Sequence, residues 1–133
     1  MLDYKIMHGS VLDGSGDAAF AADIGIQDGR IAAVGALGGV PAASTLDARG
    51  MTVTPGFLDI HRHADLAAFR PGFGELELRQ GLTTIVNGNC GLSAAPFGAE
   101  HRDEILTYLA PILGRAQAGL PTARMADYLR ALE

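Results

Sequence analysis

Two histidines separated by one residue, His61 and His63, close the apolar run Phe57-Leu58-Asp59-Ile60. The only cysteine, Cys90, stands in Gly88-Asn89-Cys90-Gly91, directly after a second apolar run, Thr83-Thr84-Ile85-Val86-Asn87. Side chains alternate faces along a strand, so residues two apart point the same way, and two imidazole nitrogens can then meet one metal ion at ~2.0–2.1 Å. The bland readings remain open. A His-x-His pair is also compatible with two incidental polar residues, and a free cysteine commonly serves as a small buried apolar side chain. Against the second of these, Cys90 sits in polar, tightly turning backbone, where zinc would hold it as a thiolate.

The elements that must position these residues can be read from the pattern of turns and apolar spacing. Residues 4–54 read as β: Ile24 and Ile26 alternate with polar neighbours, Asp28-Gly29 supplies two turn residues with positive φ, and residues 30–34 return. Residues 4–7 give an opening strand, and Leu46 and residues 51–53 flank a second turn at 47–50. After Pro55-Gly56, residues 57–60 form a short strand, residues 75–80 a helix that stops at Gly81, and residues 83–86 a second strand. Strand, helix, strand over about 30 residues is the size of a βαβ unit with parallel strands. Ile105, Leu109 and Ile112 follow helical spacing that Pro111 should kink or end, and Thr122 is placed to cap a last helix carrying Met125, Leu129 and Leu132. The fold class is therefore α/β. In α/β barrels the carboxyl ends of the strands hold the chemistry, and the histidine pair and Cys90 both fall at such ends.

Composition narrows the function classes. With 133 residues and 48% hydrophobic content, the chain can build a core. A net charge of −5, with Lys5 the only lysine, gives no basic face for a phosphate backbone, which argues against nucleic acid as a partner. One cysteine allows no internal disulfide, and the first five residues lack the basic-then-apolar run of a signal peptide, so a cytoplasmic location is expected. No apolar stretch approaches the ~18 residues of a spanning helix, which sets the membrane aside.

The segments around residues 54–65 and 81–96 resemble the signatures of the amidohydrolase superfamily, and Gly88-Asn89-Cys90-Gly91 is similar to its D-aminoacylase branch, the N-acyl-D-amino-acid deacylases. The resemblance extends over nearly the whole chain. It implies part of a small β-sandwich in residues 1–54, followed in residues 55–133 by the first two or three β/α units of a TIM-type (β/α)8 barrel. It also implies one or two zinc ions, held by His61 and His63, with Cys90 bridging or sharing the metal where most dinuclear members use a carboxylated lysine. The implied reaction is hydrolysis of the amide of an N-acyl-D-amino acid by metal-activated water. A complete barrel takes ~250 residues, so the chain is expected to be an incomplete N-terminal part that binds metal weakly and does not turn over alone. No catalytic base is assigned.

Several residues carry more specific expectations. Arg62 stands where the branch commonly has Thr or Ser, and its bulk or charge is expected to mark a different substrate range. Asp59 and Asp65 each have two readings: an imidazole partner, or a structural hydrogen bond for Asp59 and an exposed helix start for Asp65. His8 and His101 read as surface residues. Two rival functions are a cyclic amidohydrolase of the dihydroorotase or hydantoinase kind, which relies on a later bridging lysine, and a non-catalytic metal-binding or interaction fragment.

Overall fold

A computed structural model describes residues 1–133, which divide into two compact units, Met1–Pro55 and Gly56–Glu133. The first unit is a five-stranded sheet. Its strands are β1 (Leu2–Val11), β2 (Phe20–Gln27), β3 (Arg30–Gly35), β4 (Ala42–Asp47) and β5 (Thr52–Val53). The order is β3-β2-β1-β4, with β5 also on β1. Asp28 and Gly29 take φ of 51° and 69° and turn β2 into β3, as the Asp-Gly pair predicts. The Asp47–Gly50 turn does not send the chain back on itself. Both β4 and β5 run parallel to β1, pairing Tyr4 with Ser44 and Ser10 with Thr52, so one long strand carries two short ones along the same edge. The local pattern could not show this, because parallel pairing joins residues about forty positions apart. Lys5 is buried, its Nζ donating to the carbonyls of Leu37 and Val40 at 3.2 and 2.8 Å.

The second unit contains β6 (Phe57–Asp59), α1 (Glu75–Arg79), β7 (Leu82–Ile85), α2 (Arg102–Leu113) and α3 (Met125–Arg130). Strands β6 and β7 pair in parallel, Leu58 opposite Thr84 and Asp59 opposite Ile85, with α1 between them in sequence. This is the βαβ unit the spacing predicts. Gly81, at φ 82°, breaks the chain out of α1 into β7. Two strands do not close a barrel, and Phe57, Leu58 and Ile60 remain exposed. The core lies instead under the helices: Leu66, Ala94, Ala95, Leu109, Leu113, Leu120 and Tyr128 pack together, with Phe69 edge-on to Tyr128.

Two helix expectations need correction. Pro111 neither ends nor breaks α2, which continues to Leu113 and stops at Gly114, φ 83°. With the helix two residues longer, Leu113 takes the buried position and Ile112 is 53% exposed. Thr122 does not cap α3, which starts after Arg124. Thr122 is itself buried, and its carbonyl accepts the Phe97 N–H at 2.9 Å. No helix is long and apolar enough to cross a membrane.

Candidate metal centre

Pairing between the two parallel segments continues past their regular strands. The Val86 N–H donates to the Asp59 carbonyl at 2.8 Å, and the Arg62 N–H donates to the Val86 carbonyl at 3.1 Å. The two loops therefore leave the sheet side by side. Asn87 and Asn89 join them: Asn87 Oδ1 accepts the Ala64 N–H at 3.0 Å, and Asn89 Nδ2 donates to the carbonyls of Arg62 and Val86 at 3.2 and 2.7 Å. Gly88, Cys90 and Gly91 all take left-handed backbone, with φ of 79°, 59° and 71°. For the glycines this conformation is free, but for Cys90 it costs on the order of 1–2 kcal/mol. His8 and Asp28 are the other non-glycine residues with positive φ, and neither lies near the histidine pair in sequence.

The three residues singled out in the sequence come together. One ligand atom from each of His61, His63 and Cys90 lies within 4.8 Å of the other two. His61 Nε2 is 3.3 Å from Cys90 Sγ, and the two imidazoles stand edge to face with centroids 5.5 Å apart. Tetrahedral bonds of ~2.0–2.3 Å separate ligand atoms by about 3.4–3.7 Å. The longest of these separations exceeds that spacing by about 1 Å. Two imidazoles and a thiol are a donor set suited to zinc. His63 Nδ1 is buried without a hydrogen bond, a polar orphan of the sort that marks a binding or strained position. On both counts the residues fit a metal ion.

Of the two neighbouring acidic residues, Asp59 makes the structural hydrogen bond expected of it, and Asp65 departs from both of its expectations. Asp59 does not reach an imidazole: its Oδ1 accepts the backbone N–H of His61 at 3.2 Å, and its Oδ2 faces Arg62 Nη1 at 3.3 Å. Asp65 is neither an exposed helix start nor a histidine partner. It is buried, Oδ1 accepts the Ala94 N–H at 3.3 Å, Oδ2 has no partner, and its backbone carbonyl accepts the Tyr128 hydroxyl at 2.8 Å. Burial, and then the Asp65 charge, push the Tyr128 phenol up to about 12. His8 and His101 are exposed, as expected, but His8 is not isolated: its Nδ1 lies 3.0 Å from Asp47 Oδ1. That contact, together with the Arg49 backbone N–H, holds the Asp47 carboxyl below its ordinary range. Sequence reasoning missed Asn87, Asn89, Glu77 and Tyr128. The Asn-Gly-Asn run is a turn signal that could have flagged the two amides; nothing local pointed to the other two.

No protein-family model matches the chain. The curated N-acyl-D-glutamate deacylase of Alcaligenes xylosoxydans xylosoxydans is 42% identical across 99% of this chain and 26% of its own length. The crystal structure of N-acyl-D-glutamate deacylase from Bordetella bronchiseptica, complexed with zinc and a phosphonate mimic of the tetrahedral intermediate, superposes with a TM-score of 0.81 at 40% identity, covering 98% of this chain and 26% of that one. The chain is a homologue of the N-acyl-D-amino-acid deacylases. A D-aminoacylase structure, described by a binuclear metal centre with one-metal activation and second-metal attenuation, gives a TM-score of 0.80 at 37% identity over 99% of this chain and 27% of that one. The chain thus spans about a quarter of the length of the curated relatives it matches.

Proposed function

We propose that this chain is part of a zinc-dependent amidohydrolase that deacylates N-acyl-D-amino acids, with His61, His63 and Cys90 as metal ligands. The observation that carries the reading is the approach of these three side chains to within 4.8 Å at the ends of two paired parallel strands. In this reading residues 1–54 contribute to a β-sandwich, and residues 55–133 open a (β/α)8 barrel with β6–α1 and β7–α2 as its first two units. Relatives that carry zinc or a binuclear centre, at 37–40% identity, support the choice of metal and reaction class.

Zinc held there supplies Lewis acidity toward an amide carbonyl and lowers the pKa of water. The chain's own residues set up the site. Asp59 fixes the backbone that presents His61, Asn87 ties the segment after His63 to the second loop, and Asn89 ties that loop to Arg62 beside Cys90. The left-handed turn at Cys90 aims the sulfur at His61 Nε2. Hydrolysis also needs a general base and a receptor for the substrate carboxylate, and neither is among the three groups gathered here.

Titrating the 133-residue chain with Co2+ tests the ligand set. The wild type should develop an intense thiolate-to-cobalt band in the near ultraviolet, displaced by Zn2+, which Cys90→Ser removes and His63→Ala weakens. A band unaffected by either substitution would sink the assignment.

A further inference from the structure

Arg62 does not behave as a free cation beside the site. Its Nη1 lies 3.3 Å from Asp59 Oδ2, and its Nη2 donates to Glu77 Oε1 in α1, whose side chain is only 13% exposed. The backbone of Arg62 is engaged as well: the N–H donates to the Val86 carbonyl, and its own carbonyl accepts from Asn89, the residue before Cys90. One residue therefore connects the strand β6 through Asp59, the helix α1 through Glu77, and the cysteine loop through Asn89.

One of these connections bears directly on His61. Asp59 presents one carboxylate oxygen to the His61 backbone N–H and the other to Arg62, so holding one end of that carboxylate orients the other. A guanidinium suits this role because its planar fork offers separate N–H groups to two carboxylates, where a lysine ammonium would be a single point charge on a flexible stem. The same contacts argue against substrate recognition. Arg62, Asp59 and Glu77 together carry a formal charge of −1, and both terminal nitrogens already face carboxylates. An incoming substrate carboxylate would meet a net negative cluster.

We infer that Arg62 is a positioning residue for the metal centre: clamped between Asp59 and Glu77, it fixes the turn that presents His61 and His63 toward Cys90. This rests on the reading of those three residues as ligands. Loss of groups that orient metal ligands typically costs 10–100-fold in affinity.

The test uses the 133-residue chain with Arg62→Gln, Arg62→Lys and Glu77→Gln, and two readouts. Co2+ affinity is measured from the thiolate band, and backbone amide exchange at His61 is measured by NMR in the metal-free protein. Arg62→Gln is expected to weaken Co2+ binding 10–100-fold and to speed His61 exchange at least tenfold, with amides in β1 and β2 unchanged. Arg62→Lys should recover part of both losses, and Glu77→Gln should fall between Arg62→Gln and wild type. A merely structural role would instead lower the melting temperature and speed exchange across the second unit, with no selective effect at His61. Affinity and His61 exchange within threefold of wild type in Arg62→Gln would overturn the inference, and if that variant does not fold, the same result in Glu77→Gln would do so. Absence of any cobalt band in the wild type is a different failure, that of the ligand assignment itself.

Discussion

Replacing Tyr128 by phenylalanine removes one oxygen atom from the core beside the turn that carries His61 and His63, and the effect should depend on pH in a way few substitutions do. The Tyr128 hydroxyl donates to the backbone carbonyl of Asp65, two residues beyond His63, from a position only 6% exposed. At pH 7 the substitution leaves that buried carbonyl without its partner, which costs about 1–3 kcal/mol. The wild type carries a liability that the variant lacks. Burial and the Asp65 charge raise the phenol from its ordinary value of 10.0 to about 12. Between those two values the folded state holds a proton that the unfolded chain has released, so stability is fully present below pH 10 and falls as pH rises toward 12. Two pH units at 1.36 kcal/mol each bound the loss at about 2.7 kcal/mol, and partial solvent access makes about 1–2 kcal/mol the working figure. Tyr128→Phe should therefore be the less stable protein at pH 7 and close most of that gap by pH 11.5. Urea unfolding of both proteins from pH 7 to 11.5 measures this, because contributions from every other group are common to both and cancel. A stability difference constant across that range would refute the reasoning, and would mean that the phenol is well hydrated.

Other substitutions probe different parts of the account. Leu109→Ala, in the core beside Leu66, Leu113 and Tyr128, should cost about 3 kcal/mol in urea unfolding, by lost transfer energy plus the cavity left behind. At Gly56, just before β6, an added Cβ would sit 2.6 Å from the Thr83 Cβ on β7, so Gly56→Ala should lower stability by about 1–3 kcal/mol in thermal unfolding and Thr83→Gly should restore it. Cys90→Ala should keep the far-ultraviolet circular dichroism of the wild type while losing more than 100-fold in zinc affinity by calorimetry, a larger loss than outer partners of a ligand cause. Near-normal zinc affinity in that variant would make Cys90 a structural side chain.

The parts of the molecule that the sequence disclosed are those written in short-range patterns. Asp28-Gly29 turns β2 into β3 because both residues take positive φ, and Gly81 ends α1 for the same reason. The histidine pair and Cys90 were legible because a strand followed by a polar, glycine-rich loop is visible locally, and the adjacency of β6 and β7 then brings them together. What escaped depends on distant partners. The two short strands β4 and β5 share the edge of β1 through parallel pairing, which leaves no local trace. Asp65 reads as an exposed helix start or an imidazole partner until Ala94 and Tyr128 fold over it, and the Arg62–Glu77 ion pair joins residues fifteen apart. Pro111 misled for a thermodynamic reason: Leu109 and Leu113, on either side of it, are buried in the core, and that packing offsets the hydrogen bond the proline cannot make.

Zinc K-edge X-ray absorption on the zinc-loaded chain tests the ligand assignment most directly. The account predicts one sulfur scatterer at ~2.3 Å and two imidazole nitrogens at ~2.0–2.1 Å, with the sulfur shell absent in Cys90→Ala and one imidazole absent in His61→Ala. A first shell of oxygen and nitrogen only, identical in wild type and Cys90→Ala, would contradict it.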